Sequence, residues 1–359
     1  MQHVYWLAYS LLPGLSLLKK HQLLQHCGGM DVLLQHLRSK QHPNEQIDKI
    51  LKDLPDLPLD QAKQEMEKLK RNGAWLMSYA DDIYPESLKQ IADPPLVLFG
   101  KGVLPKQYKH YFAVVGTRRP SSYGQRVAKS LCRELSQHGL VLLSGLAAGI
   151  DTIAHQNAVD QAQPTVAVLG HGLGMCYPQQ NEVLAQKILT TGCLLTEYLY
   201  DEKPKNYYFP QRNRIVAGLA QGLLLVEGAK KSGAGITARL ALENNKEIYA
   251  VPGMIDSPTA YTPNLLIAQG AKIVLSAQDI LEDYGVLLNS NQEDEEQLNN
   301  KLDPLQNSIM KQLAKEAELF DEILQTKLKV SDQDLLKALV DLEQMGLIAR
   351  QFDGSWSKI

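Results

Sequence analysis

The chain has 359 residues, with 37 Lys+Arg against 40 Asp+Glu and a formal net charge of −3. At roughly 150 residues per domain, that length suggests two or three domains and is ample for a hydrophobic core. A composition of 44% hydrophobic and 21% charged residues excludes wholesale disorder, and near-neutral charge confines any nucleic-acid surface to a local patch. No apolar run reaches the roughly 18 residues of a membrane span. The apolar stretch Val4–Leu18 is interrupted by Pro13 and Gly14 and follows no basic segment, which argues against a signal peptide. The cysteines Cys27, Cys132, Cys176 and Cys193 form no C-x-x-C pair. They read as small buried side chains in a reducing cytoplasm, with neither a disulfide framework nor a metal site.

Residues 1–75 form the first region, a helical N-terminal domain. Apolar residues recur there at helical spacing, as in Leu33, Leu34, Leu37 and Ile47, Ile50, Leu51, Leu54. Residues 76–105, broken by Pro85, Pro94 and Pro95, read as a connector. Over residues 106–288 short β-branched runs alternate with helical patterns. The predicted strands are Phe112–Val115, Val141–Ser144, Thr165–Leu169, Cys193–Glu197, Leu223–Val226, Ile248–Val251 and Ile273–Leu275. The predicted helices are Gln125–Gln137, Ile150–Asp160, Glu182–Thr190, Asn213–Gln221, Ile236–Glu243 and Leu265–Gln269. Continuous apolar strands joined by helical crossovers mean a parallel sheet covered on both faces, a doubly wound α/β domain. Residues 289–304 are polar and acidic and read as a linker. In residues 305–359, helical patterns precede two short strands around Asp353-Gly354, the outline of a winged helix.

Ligands of open parallel sheets bind beyond the carboxyl ends of the strands, and the informative residues fall there. The first strand of the α/β domain runs into Gly116-Thr117-Arg118-Arg119, and the second ends in Ser144-Gly145 ahead of Gly149. The fifth precedes Lys230-Lys231-Ser232-Gly233. Glycines at such turns let backbone N–H groups approach an anion, where the helix dipole favours negative charge. No G-x-G-x-x-G or P-loop pattern occurs, which disfavours a nicotinamide cofactor or a P-loop NTPase.

Arg212-Asn213-Arg214 is placed at the start of a helix, where cations oppose the macrodipole and call for an anion. That anion is either a carboxylate such as Glu197 or Glu227, or a bound phosphate. Convergence of several basic turns at one sheet edge favours the phosphate. Tyr207, Tyr208 and Phe209 interleave with these cations, an arrangement that holds single strands by base stacking; Phe209 is expected in the core and the two tyrosines are the stacking candidates. Residues 106–285 hold 17 basic and 14 acidic side chains, and residues 305–359 hold 7 and 9. The phosphate-binding bias therefore sits in the α/β domain and not in the winged helix. No catalytic engine is evident: Asp151 and His155 read as a capping and a packed residue, Ser144 is no nucleophile elbow, and metal-ligand spacing is absent.

The runs VVGTRRPSSYG (114–124), SGLAAGIDTIAH (144–155), AVLGHGLGMCYPQQN (167–181), FPQRNRIVAGLA (209–220) and VEGAKKSGAGITARLALE (226–243) together resemble the DprA/Smf family of DNA-processing proteins. That resemblance implies a Rossmann-like domain preceded by a helix-hairpin-helix or SAM-like domain and followed by a winged helix. It further implies a homodimer, without enzymatic activity or cofactor, that binds single-stranded DNA irrespective of sequence and delivers it to the recombinase RecA during natural transformation. Its DNA-contacting positions carry over to Arg118, Lys231, Arg212 and Arg214, with Ser144, Gly145 and Gly149 shaping the anion pocket. An alternative is an enzyme of the nucleoside monophosphate phosphoribohydrolase type, whose P-G-G-x-G-T-x-x-E run has no counterpart in this chain.

Overall fold

The computed structural model describes residues 2–105, 110–286, 302–313, 320–328, 330–345, 347–350 and 355–358. It divides into two compact units, Met1–Val286 and Leu287–Ile359. Most of the expected acidic linker, and the Asp353-Gly354 turn, lie outside the described residues.

The first unit begins with five helices, α1 Gln2–Leu11, α2 Leu17–His26, α3 Met30–Ser39, α4 Glu45–Asp53 and α5 Leu59–Arg71. Ser16 caps α2 by accepting the Lys19 N–H, and Asn44 caps α4 by accepting from Gln46 and Ile47, which satisfies donors a free helix end leaves unpaired. Their apolar stripes meet one another through Trp6, Leu7, Leu33, Leu51 and Leu69. The same core continues into Val97, Phe99 and Leu194 of the sheet, so the helices form one packed body with it.

The remaining elements of this unit are β1 Ala74–Ser78, α6 Glu86–Lys89, β2 Val97–Gly102, β3 Tyr111–Val115, α7 Ser122–Gln137, β4 Val141–Ser144, α8 Ile150–Asp160 and β5 Thr165–Val168. They continue with α9 Glu182–Ile188, β6 Cys193–Thr196, α10 Tyr208–Leu219, β7 Gly222–Leu225, α11 Gly233–Glu243, β8 Glu247–Ala250, α12 Tyr261–Ala268, β9 Lys272–Ile273 and α13 Gln278–Leu281. The nine strands form a sheet of order β1-β2-β6-β5-β4-β3-β7-β8-β9. Pairing from β6 to β9 is parallel, whereas β1–β2 and β2–β6 are antiparallel. The Rossmann-like parallel sheet is therefore extended at one edge by two strands from around the stretch read as a connector, where Pro85 stands just before α6, and Pro94 and Pro95 just before β2, so that both strands have regular interiors.

β4, β5, β6 and β7 are buried along their whole length, which explains why they read as unbroken apolar runs. Alternate residues serve opposite faces: Ala113, Val115, Leu143 and Leu225 meet Ile215 and Val216 of α10 and Ala238 of α11. The chain winds outward from β3 through β4, β5 and β6, then returns to place β7 on the other side of β3. That reversal opens a crevice above β3, the ligand position of doubly wound folds.

The second unit contains helices Pro304–Leu313, Asp321–Leu328 and Asp332–Gln344 and an antiparallel pair of strands, Ile348–Arg350 and Trp356–Lys358. Ile309, Leu324, Leu339, Leu342, Ile348 and Trp356 form its core.

Phe99 on β2 is 1% exposed. Phe99→Ala is expected to cost about 3–5 kcal/mol, as a large core truncation does, read as a lower urea midpoint at unchanged slope. A loss below about 0.5 kcal/mol, the range of surface substitutions, would mean that β2 is peripheral.

Candidate nucleic-acid interface

A cleft of about 480 Å³ opens at the carboxyl ends of the central strands. Four chain segments build it: the Gly116-Thr117-Arg118 turn after β3, the Gly145–Ala147 turn after β4, the Phe209, Arg212, Asn213 and Val216 face of α10, and the Ser232–Thr237 start of α11. Close approach between these turns requires glycine at two places. A Cβ on Gly145 would lie 2.3 Å from the Arg212 guanidinium, and one on Gly149, which has φ +85°, would lie 2.3 Å from the Thr117 carbonyl oxygen. Gly149 thus brings the first two turns together from behind the cleft.

Helix α10 starts at Tyr208, five residues ahead of the predicted start at Asn213. Pro210 falls in its first turn, where a missing N–H costs nothing. Residues 209, 212, 213 and 216 then share one helix face by i, i+3, i+4, i+7 spacing. Phe209 consequently lines the cleft instead of the core, and the expectation that it packs in the interior is corrected. Its ring lies 5.6 Å from that of Tyr177, and the Arg118 guanidinium sits over its face at 5.6 Å. Tyr177, Asn206 and Thr237 also line the cleft, although no sequence pattern singled them out.

Tyr207 and Tyr208 stand outside the cleft lining. The Tyr208 ring packs on Tyr198 with centroids 3.9 Å apart, its hydroxyl donates to Glu202 at 2.9 Å, and Tyr207 projects into solvent.

The two α10 arginines are internal, a correction to their assignment to a phosphate. Arg212 is 4% exposed and donates through Nη1 to the carbonyls of Gly145, at 2.7 Å, and Val168. Its Nε donates to the Asn213 amide oxygen at 3.2 Å. Burying a guanidinium is tolerable only when its donors are satisfied. Asp151 lies buried nearby and accepts the N–H groups of Gly145 (3.1 Å) and Ala147 (3.4 Å). Burial pushes the Asp151 carboxyl up, while the Arg212 charge and these N–H donors pull it back. Arg214 is held by Glu197 and by Asp93, 3.2 Å from its Nε. Ser144 is likewise turned away, its hydroxyl donating to the Val114 carbonyl at 2.7 Å.

Arg118, Arg119, Lys230 and Lys231 are exposed, and among the described residues no carboxylate forms an ion pair with them. Arg118 lines the cleft, whereas the other three stand outside its lining. The Lys230 ammonium rests 5.4 Å over the Tyr261 ring. Ser232 caps α11, accepting the Gly235 N–H at 3.3 Å, and directs the positive end of that helix into the cleft. Glu227 is engaged by Ser121 and Thr259, leaving the arginines to other partners.

Fold and cleft together define an open α/β protein of the Rossmann-like kind, with cationic turns around a crevice at its topological switch point. Residues 75–285 match the family described as DNA recombination-mediator protein A. The chain is 43% identical over 203 residues to DNA processing protein DprA of Bacillus subtilis, covering 56% of this chain and 68% of that one. Among solved structures it is similar to DNA processing protein A of Streptococcus pneumoniae, with TM-score 0.64 and 32% identity over 78% of this chain and 96% of that one. It is also similar to DNA processing protein A of Helicobacter pylori, solved for its single-stranded DNA binding mode, with TM-score 0.53 and 29% identity over 59% and 95%. The chain belongs to the DNA recombination-mediator protein A family, the DprA/Smf group. No helix among the described residues is long and apolar enough to cross a membrane.

Removing Arg212 would strand two carbonyls and leave Asp151 buried without its opposing charge. Arg212→Ala is expected to cost about 3–5 kcal/mol in urea denaturation, whereas Arg118→Ala should stay within about 0.5 kcal/mol. Behind the cleft, His155 is fully buried, its Nδ1 2.8 Å from the Thr165 hydroxyl, and burial with the nearby Arg212 charge holds its pKa down to about 3. The unfolded chain protonates this ring near 6.5, so between those values the unfolded state binds one proton more. The contribution is whole above about pH 6.5 and is lost as pH falls toward 3, by about 1.4 kcal/mol per pH unit. His155→Gln should flatten that slope by one proton in unfolding measured across the acid range.

Proposed function

We propose that the protein is a cytoplasmic, sequence-independent single-stranded DNA binder that protects incoming strands and loads RecA onto them during natural transformation and recombination. One observation carries this reading. Four cations, Arg118, Arg119, Lys230 and Lys231, flank an aromatic-walled cleft without ion-pair partners among the described residues. Backbone phosphates meet the Gly116-Thr117-Arg118-Arg119 turn and the Lys230-Lys231-Ser232-Gly233 turn, where a helix N-terminus adds N–H donors. Asn213 adds a polar group, Phe209 and Tyr177 offer base-stacking faces, and the exposed Tyr207 offers a further one beside them. Arg212 and Gly145 serve by holding the cleft's shape. The single-stranded DNA binding mode of the Helicobacter pylori relative supports the same ligand class for this chain. The function needs no cofactor and no catalytic group.

The homodimer forms through the sheet-bearing unit. Support comes from apolar side chains left in solvent after β8 and on α12, with Met254 77% and Ile255 98% exposed alongside Leu265. The second unit is a winged helix, and its two excess acidic residues suit it to a protein contact better than to DNA.

Arg118→Glu combined with Lys231→Glu should weaken single-strand binding and reduce the slope of log K against log salt by about 0.7 for each phosphate no longer neutralised. An unchanged isotherm in fluorescence anisotropy at two salt concentrations would sink the assignment. Ile255→Glu should convert the dimer to monomer in light scattering, and a variant that remains dimeric places the interface elsewhere. RecA filament formation on strands coated with a competing single-strand binding protein should accelerate with the wild type and not with the double variant.

A further inference from the structure

We propose that the N-terminal helices carry a metal site for a zinc-type divalent cation, formed by Cys27, His36 and His42. Among the described residues these three make the one group of His, Cys, Asp or Glu side chains whose ligating atoms converge, all within 4.8 Å of one another. None of them lines the cleft.

They come from three separate pieces of chain. Cys27 is the C-cap of α2 and is buried. A Gly28-Gly29 turn with φ +72° and +137° follows it and redirects the chain into α3, whose last turn presents His36. Lys40 then ends α3 in the left-handed region, with φ +54°, a conformation costly for a lysine. The turn folds the chain back so that the His42 ring lies 4.5 Å from that of His36, both rings half-buried. The Asp48 carboxylate anchors the returning segment by accepting the His42 backbone N–H at 3.0 Å.

The donor chemistry points to one class of ion. One sulfur and two imidazoles suit zinc and its neighbours and not the hard, oxygen-seeking magnesium or calcium. Tetrahedral zinc with bonds of about 2.0–2.3 Å sets its ligand atoms roughly 3.3–3.6 Å apart, so the ring nitrogens and sulfur need to close by about 1 Å, within reach of side-chain rotation. His36 is prepared for this: its Nδ1 donates to the Gln41 carbonyl at 2.7 Å, which leaves the Nε2 lone pair available, the outer-shell pattern of metal-bound histidines. His42 uses Nδ1 to accept the Asn44 N–H at 3.0 Å, so coordination costs this ring that bond or a change of tautomer. Cys27 binds as thiolate, its proton passing to solvent as the sulfur–metal bond forms. Three protein ligands leave a fourth position for water. The ion would tie the end of α2 to the end of α3 and to the loop beyond it.

Cobalt(II), a spectroscopic stand-in for zinc, tests this on the full-length protein. One equivalent should bind, with tetrahedral d–d absorption and a thiolate-to-cobalt charge-transfer band, and zinc should displace it. Cys27→Ala should abolish the charge-transfer band, while Cys176→Ala, at the partly accessible cysteine, should leave it. His36→Gln and His42→Gln, at half-buried positions, should each weaken cobalt binding at least tenfold, with the fold of each variant checked by circular dichroism. Zinc should raise the melting temperature of the wild type and not that of the double histidine variant. A missing charge-transfer band, its persistence in Cys27→Ala, its loss in Cys176→Ala, or unchanged affinity in the double histidine variant would each overturn the proposal.

Discussion

A buried guanidinium organises the mouth of this protein. Arg212 fills the space between the ends of β4 and β5 and satisfies itself on the carbonyls of Gly145 and Val168. A charge so placed permits little variation around it, because every donor it loses becomes an unpaired polar group in a low-dielectric interior. Gly145 has no room for a side chain against it, and Asp151 holds the same loop from the other side through its backbone N–H groups. The cleft is therefore framed by an internal electrostatic strut and not by the flexible side chains at its rim.

This division of labour separates the cations of the domain into two populations. Arg212 and Arg214 are consumed by carbonyls and carboxylates inside the fold, whereas Arg118, Arg119, Lys230 and Lys231 remain in solvent. The internal pair sets where the turns sit, and the outer set determines the field those turns present. Arg118 and Lys230 each lie over an aromatic face, Phe209 and Tyr261, which restrains long side chains that otherwise lose considerable rotamer freedom on binding.

Much of the α/β core was legible in the sequence because strands covered on both faces must be apolar throughout, and β3 to β8 fall within a residue or two of the runs that announce them. The two added edge strands were hidden by Pro85, Pro94 and Pro95, which read as loop although Trp75 and Leu76 before them and Leu98 and Phe99 after them carry strand character. In the site, the glycine turns and Arg118 were readable from their position at strand ends. Arg212 and Arg118 are chemically alike and both neighbour such turns. Only packing across two crossovers determines that one is buried and the other free. A helix start at Asn213 leaves residues 207–209 without a helical facing, so nothing in the sequence distinguishes the ring that lines the cleft, Phe209, from Tyr207 and Tyr208 beside it. Cys27, His36 and His42 carry no recognisable spacing, since a whole helix and a left-handed turn separate the members of the group.

The β1–β2 hairpin joins α5 to the sheet with no slack between them: Asn72 and Gly73 alone separate the end of α5 from β1. Any swing of the five-helix region would have to break the ladder from Ala74↔Lys101 to Ser78↔Val97 and tear Phe99 from its surroundings. The helical region is thus a rigid outrigger and not a tethered module. A polymer touching both it and the central crevice would meet two footholds at a set separation, so such a contact would be gauged by the length of the polymer rather than by the statistics of a linker.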